Sequence, residues 1–176
     1  MLKNGLIICF TVILLFMTAT LSYADTATTT DFPNPLHYQV GWQITNSASG
    51  FSLKIPVKNQ FYIQPIFAFS INENQGTTGT NGHFDLGIRG IRRLPERGNF
   101  LPYVGVGLGH CENYTGPTLG SATINSGNTG FEAFLGVEYQ KYVIRPSLEI
   151  GLGSYSNADG SYYAGTTLNL GLMYSF

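Results

Sequence analysis

The stretch YYAGTTLNLGLMYSF, residues 162–176, decides the fold. Its alternate residues, from Tyr162 to Phe176, are mostly apolar or aromatic, whereas the residues between them are small or polar. Alternation with a period of two is typical of a β-strand and not of a helix. The apolar face carries aromatic side chains at both ends, as expected of a strand whose rings lie at the two interfaces of a membrane. The small, polar face suits a crowded or wet interior.

Residues 1–24 have the composition of a secretory signal peptide. Lys3 supplies the early positive charge, residues 6–17 form the apolar run, and 22–24 hold small residues where a signal peptidase requires them. The apolar run is shorter than the roughly 20 residues that a membrane helix needs. We therefore predict three segments, which are a signal peptide at 1–24, a flexible leader at 25–35 and one barrel domain at 36–176.

The composition separates the chain from an ordinary soluble domain. Charged residues make up 11% of the chain, against about 25% in globular proteins, and there are 22 Gly, 11 Tyr and 12 Phe residues. Low charge with abundant glycine and aromatic residues fits strands that face lipid on one side and a packed lumen on the other. Cys111 is the one cysteine after residue 24, so no internal disulfide can form. The net charge of −1 provides no basic surplus, which argues against nucleic acid as a partner.

Seven earlier segments repeat the alternation of the last stretch, which brings the count to eight. Pro56 is placed at a strand end, because proline cannot donate a hydrogen bond to the ladder. Gly105, Gly107 and Gly109 share the inward face of one segment and leave room for large neighbours or for tight curvature. The seven segments are 36–44, 51–58, 61–72, 83–89, 100–109, 131–140 and 142–153.

The connections between these segments mostly alternate between long and short. Small outer-membrane barrels have an even number of strands, short periplasmic turns and longer extracellular loops. We therefore predict an all-β fold, an eight-stranded antiparallel up-and-down transmembrane β-barrel with both of its ends in the periplasm. The predicted outer loops are 46–50, 73–82, 110–129 and 154–161, and the predicted inner turns are near 56–60, 92–99 and 140–141.

Charged residues on the polar face of the strands are the candidate functional site. Buried charges are tolerated only when they are paired, and Arg89 and Arg145 suit bidentate bonding to carboxylates. Eight strands enclose a lumen just wide enough for side chains. We interpret the network as a structural plug, and a gate or a narrow ion path is the alternative. The predicted lumen ion-pair network consists of Lys54, Asp85, Arg89, Glu132, Glu138, Arg145 and Glu149.

Two other classes of protein share parts of this pattern. A lipid-modifying barrel enzyme needs a histidine beside a hydroxyl and an acidic residue near the outer leaflet. Two candidate pairs of a histidine and an acidic residue lie at the outer ends of predicted strands, His110 with Glu112 and His83 with Asp85. The His-x-Ser-Asn run of lipid A deacylases, metal-ligand spacing and nucleophile elbows are absent from the sequence. We therefore predict no enzymatic activity, cofactor or metal. A soluble ligand-binding barrel would turn its apolar face inward and carry more charge outside.

Three runs carry a resemblance to a known family. LPYVGVGLG at 101–109, LGVEY at 135–139 and the aromatic C-terminal strand resemble the small OmpA-like, opacity-type outer-membrane β-barrel superfamily. The resemblance implies a monomeric barrel in the cell outer membrane with no cofactor, which acts as a structural barrel, a surface adhesin, a serum-resistance factor or a narrow pore. The implied partners are membrane lipid and lipopolysaccharide, the barrel-insertion machinery and host surface molecules. The insertion signal implied by the resemblance consists of Leu168, Leu170, Leu172, Tyr174 and Phe176.

Overall fold

The computed structural model describes residues 36–46, 48–58, 60–73, 80–116, 123–157 and 161–176. The predicted signal peptide and leader lie outside the described residues. Within these ranges, no helix is long and apolar enough to cross a membrane. The strands in this part of the chain are β1 (Gln39–Ile44), β2 (Ser49–Lys58), β3 (Phe61–Glu73), β4 (Thr80–Arg93), β5 (Phe100–Gly116), β6 (Thr123–Tyr139), β7 (Ile144–Asn157) and β8 (Tyr162–Ser175).

The strands form one closed barrel in chain order. Each strand pairs antiparallel with the next, and β1 closes the sheet by pairing with β8, from Gln39 opposite Ser175 to Ile44 opposite Leu170. A closed sheet has no free edge, so its backbone N–H and C=O groups are paired within the sheet, as a hydrocarbon environment requires. The predicted eight-stranded antiparallel up-and-down barrel is confirmed.

The two faces of the sheet differ as the alternation predicted. On β8, Leu168 is 62% exposed whereas the next residue, Asn169, is completely buried. Phe67 and Leu135 are also exposed on the outside, and Glu149 is buried in the lumen. An apolar exterior around a polar interior suits lipid and is the reverse of a soluble barrel. The soluble ligand-binding interpretation therefore does not fit the fold.

On the side of the predicted outer loops, the strands extend further than the alternation predicted. The predicted loop 110–129 is mostly strand, because β5 runs to Gly116 and β6 begins at Thr123. An apolar band about 25 Å tall takes only about 10 tilted strand residues, and β5 has 17. Beyond the band both faces of a strand meet water, so the contrast between them is lost while the ladder continues. The other predicted loops are shortened in the same way: 46–50 (β2 begins at Ser49), 73–82 (β4 begins at Thr80) and 154–161 (β7 ends at Asn157).

We call the end of the barrel with the β2–β3, β4–β5 and β6–β7 connections the turn end, and the opposite end the loop end. In the β4–β5 connection Arg97 and Phe100 exchange backbone hydrogen bonds around Gly98, whose φ of 63° favours glycine. Pro56 lies inside β2, next to a register shift, and the strand ends at Lys58. The predicted turns 56–60 and 92–99 therefore included residues that belong to the ends of β2 and β4. The predicted turn 140–141 was too short, because β7 begins at Ile144 and not at residue 142.

The first strand was predicted to begin at residue 36, and this was wrong. β1 begins only at Gln39, so the strand alternation does not apply to Leu36. Leu36 instead packs against a buried apolar cluster inside the turn end of the barrel. This cluster, which narrows the lumen with side chains from β3, β4, β5 and β6, consists of Tyr62, Ile91, Tyr103 and Phe134.

Glycines on the inward face make room for this cluster. A Cβ atom on Gly105 would lie 2.2 Å from Cζ of Phe134, and one on Gly136 would lie 2.4 Å from the Tyr103 ring. Both distances are far below van der Waals contact, so a larger residue would displace a ring. The inward glycines of β5 therefore leave room for large neighbours, as predicted.

Candidate functional site

The lumen is crossed by a layer to which all eight strands contribute one polar side chain. Strand alternation turns each of these side chains inward, and each is at most 2% exposed. We call this set the eight-strand layer. From β1 to β8 it consists of Gln43, Ser52, Gln64, Arg89, Tyr103, Glu132, Glu149 and Asn169.

Arg89 is the centre of the eight-strand layer. Its Nη2 forms a short ion pair with Oε2 of Glu149, and its Nε lies 3.4 Å from Oε1 of Glu132. Its Nη1 donates a 3.0 Å hydrogen bond to Oε1 of Gln64. The guanidinium also stacks on the Phe134 ring, with Cζ 3.9 Å from the ring centroid. One planar cation thus joins β3, β4, β6 and β7.

Neutral side chains complete the layer around the two carboxylates. The Tyr103 hydroxyl donates to Oε1 of Glu149 over 2.7 Å. Nδ2 of Asn169 lies 3.0 Å from Oε2 of Glu132 and from Oε2 of Glu149, and donates to both. On the other side, Nε2 of Gln64 donates to Oγ of Ser52 over 2.8 Å. These bonds offset part of the cost of burying the two carboxylates, while Oε1 of Glu132 accepts no hydrogen bond and lies 3.4 Å from Nε of Arg89.

A second cluster of charges lies nearer the turn end. Oε2 of Glu138 is 2.6 Å from Nζ of Lys54. Oε1 of Glu138 accepts hydrogen bonds from Nε2 of Gln39, over 2.9 Å, and from Nη1 of Arg145, over 3.3 Å. This turn-side cluster has two cations for one carboxylate, whereas the eight-strand layer has one cation for two. The excess charges of the two groups therefore have opposite signs.

Asp85 stands apart from the other predicted network residues. It is buried at the loop end, where Oδ2 accepts a 2.9 Å hydrogen bond from the backbone N–H of Ser49 and lies 3.1 Å from Nε2 of His83. The bond to Ser49 connects β4 with the start of β2. The structure therefore places the seven predicted residues in two charged groups and one separate anchor, and not in a single network.

The predicted lumen network left out several polar residues that lie in the lumen, because it considered only charged residues. Gln39, Gln64 and Asn169 bond directly to the predicted charges, and they share the inward parity of those charges. Arg93 was assigned to a charged turn, but it is buried and pairs with Glu96. The spacing of four between Arg89 and Arg93 would have placed both on the same face of β4.

The candidate enzyme residues lie at the loop end. Nδ1 of His110 is 2.6 Å from Oγ1 of Thr129, and Nε2 is 2.9 Å from Oε1 of Glu112. His110 and Glu112 lie two and four residues after Leu108, which points outward, so both share its face of β5. Thr129 lies opposite His110 on β6. The three side chains therefore face outward, whereas the partly buried Cys111 lies between two of them in the sequence. Among the described residues, no group of three or more His, Cys, Asp or Glu side chains could hold a metal ion.

The predicted insertion-signal residues form the outward face of β8. All five are exposed, and the ring centroid of Phe176 lies 6.3 Å from that of Tyr38 and 6.4 Å from that of Tyr174. The backbone N–H of Phe176 donates to the carbonyl of Tyr38 over 3.0 Å, which ties the end of β8 to the segment before β1. These rings form part of an aromatic girdle at the turn end.

A closed eight-stranded barrel with an apolar exterior and a packed, charged lumen belongs to the class of small transmembrane β-barrels. No protein-family model and no curated protein matches the sequence. The fold is similar to that of the N-terminal β-barrel domain of OprF from Pseudomonas aeruginosa, at 13% identity and a TM-score of 0.46, covering 80% of this chain and 96% of that one. It is also similar to that of Neisserial surface protein A, at 16% identity and a TM-score of 0.41, covering 80% of this chain and 95% of that one. A third similar fold is that of Ail, the attachment invasion locus protein of Yersinia pestis, at 16% identity and a TM-score of 0.37, covering 80% of this chain and 94% of that one. At these identities the similarity is one of fold.

Proposed function

We propose that the chain is a monomeric outer-membrane barrel that serves envelope structure and surface contact, with its turn end in the periplasm. One observation carries the proposal: the eight-strand layer fills the lumen with side chains that are at most 2% exposed. A barrel of eight strands leaves little room beyond such side chains. A filled lumen supports a structural role over transport, and leaves the loop end as the surface available to partners.

The loop end has a composition suited to contact with other molecules. Strands β4, β5, β6 and β7 continue there beyond the apolar band. The sequence of the loop-end parts of these strands and of their connections is rich in Asn, Ser, Thr and Gly and contains no Lys or Arg. These parts are residues 73–82, 110–129 and 154–161. Host surface molecules are the proposed partners of this end. The apolar face of β8, which ends in Tyr174 and Phe176, is proposed to be read by the barrel-insertion machinery.

Protease treatment of intact cells tests location and orientation together. Because the loop end has no Lys or Arg, trypsin should leave the chain uncut, whereas chymotrypsin should cut near Tyr114 or Leu119. After the outer membrane is permeabilised, trypsin should cut after the exposed Arg97 and Lys141 at the turn end. The variant Thr118→Arg should make intact cells sensitive to trypsin. Cleavage after Arg97 on intact wild-type cells would show the opposite orientation.

A narrow pore is the second candidate, because ionisable side chains lie at several heights along the lumen. The filled eight-strand layer predicts small conductance or none when the folded protein is reconstituted in planar bilayers. Heat-modifiable migration on gels is the control for folding. Large, stable, ion-selective steps would favour the pore and contradict a plugged lumen.

Lipid A modification is the remaining candidate, and one observation speaks for it. His110 contacts both a hydroxyl, on Thr129, and a carboxylate, on Glu112, on the outside of the barrel. In a hydrolase triad the acid contacts Nδ1 and the nucleophile contacts Nε2, and here the two are exchanged. This order gives the enzyme less support than the structural role. Deacylated or palmitoylated lipid A in cells that overexpress the chain would favour the enzyme instead.

A further inference from the structure

Basic side chains are confined to one half of the barrel. The sequence of the loop end contains no Lys or Arg, and its acidic residues are Glu73, Asp85, Glu112 and Asp159. Beyond residue 35, every Lys and Arg lies either in the lumen or at the turn end. The lumen holds Lys54, Arg89, Arg93 and Arg145, and the turn end carries Lys58, Arg92, Arg97 and Lys141.

Aromatic contacts place two of these turn-end cations, Arg92 and Lys141, at the edge of the apolar band. The guanidinium of Arg92 lies 5.7 Å from the centroid of the exposed Phe61 ring. Nζ of Lys141 lies 5.6 Å from the centroid of the exposed Tyr142 ring. Aromatic rings at the strand ends of a membrane barrel form girdles at the level of the lipid headgroups, and Phe61 begins β3 while Tyr142 lies in the β6–β7 connection. The cations beside them are therefore within reach of headgroup phosphates.

Among the described residues, the turn end carries four basic side chains outside the lumen, which are Lys58, Arg92, Arg97 and Lys141, and one acidic side chain, Glu96. Glu96, in the β4–β5 connection, pairs with the buried Arg93. Glu138 points into the lumen, where it pairs with Lys54 and Arg145. The exterior of the turn end is therefore positively charged, in contrast to the loop end. An anionic membrane surface attracts a cationic segment, at a strength that grows with each Lys or Arg near the surface.

We propose that the turn end of the barrel is a binding surface for anionic phospholipid headgroups. Lys58, Arg92, Arg97 and Lys141 form this basic girdle, and their combined charge attracts the phosphate of a lipid that has no compensating ammonium group. The inference goes beyond the proposed function because it names a lipid class, and its test in a bilayer does not depend on the orientation in a cell. The loop end lacks the Lys and Arg side chains that would pair with the phosphates of lipopolysaccharide in the same way.

Spin-labelled lipids provide the test. The full chain is folded in phosphatidylcholine bilayers, and the motionally restricted fraction is measured for labelled phosphatidylglycerol and for labelled phosphatidylcholine. The wild-type protein should prefer phosphatidylglycerol about fivefold, the factor for one cation near an anionic surface. The preference should fall almost to equality in the neutral variant K58Q/R92Q/R97Q/K141Q. Equal association with both lipids in the wild type, or an unchanged preference in the neutral variant, would overturn the proposal.

Two controls separate charge from folding and from side-chain shape. The charge-conserving variant K58R/R92K/R97K/K141R should keep the wild-type preference, and its loss there would count against the proposal. If the neutral variant fails to show heat-modifiable migration, salt replaces it as the perturbation. Raising the ionic strength from 0.1 M to 1 M shortens the screening length from about 10 Å to about 3 Å, and should abolish the wild-type preference. A preference that survives high salt would contradict an electrostatic surface.

Discussion

Replacing Arg89 with methionine is expected to lower the free energy of unfolding by about 3–5 kcal/mol, the usual loss when one partner of a buried ion pair is removed. Arg89 contacts Glu132 and Glu149, and all three side chains are almost completely shielded from solvent. Without the guanidinium, two carboxylates would remain close together without their shared cation. Equilibrium urea unfolding in phospholipid vesicles measures the loss, with the single tryptophan, Trp42, as the fluorescent probe.

The triple variant R89M/E132Q/E149Q is the matched control. It removes the cation and both charges together, so the unpaired negative charge disappears while the lumen volume stays nearly the same. Removing all the charges of a buried ion group is often close to neutral for stability. We therefore expect the triple variant to be more stable than R89M. Wild-type stability for R89M would show that Arg89 does not hold the carboxylates in the lumen.

The sequence predicted the two faces of the barrel because lipid imposes a strict contrast on them. Leu168 and Leu170 point outward and Asn169 points inward, as a period of two requires. The contrast fails where the membrane ends, which is why the ladder from His110 opposite Thr129 to Thr115 opposite Thr123 was mistaken for a loop. Leu36 was misplaced for a related reason, since alternation describes a residue only while it lies in a strand.

The pairing inside the lumen could not be read from alternation. Parity shows that Lys54 and Glu138 point inward, but it does not give their relative height along the barrel axis. Height depends on the strand tilt and on the register around the closed sheet, and these two residues are 84 positions apart in the sequence. Asp85 has the same parity as Arg89, yet it lies at the loop end, away from the carboxylate partners of that arginine.

Replacing Glu138 with leucine is the second change with a large expected effect, again a loss of about 3–5 kcal/mol in the free energy of unfolding. Glu138 is the carboxylate that Lys54 and Arg145 share. The Lys54 side chain is only 3% exposed, whereas that of Arg145 is 15% exposed. Arg145 can therefore turn partly toward water, but Lys54 would keep a buried charge without its closest partner. Urea unfolding in the same vesicles measures the loss.

The order of the losses distinguishes this explanation from simple loss of packing. In K54M, Glu138 keeps its hydrogen bonds from Gln39 and Arg145, so the loss should be smaller than in E138L. The double variant K54M/E138L removes the stranded ammonium and should be more stable than E138L alone. A double-mutant cycle over the four proteins measures the coupling between the two side chains. Additive losses would show that Lys54 and Glu138 do not interact in the folded barrel, because an ion pair between them must appear as a coupling free energy.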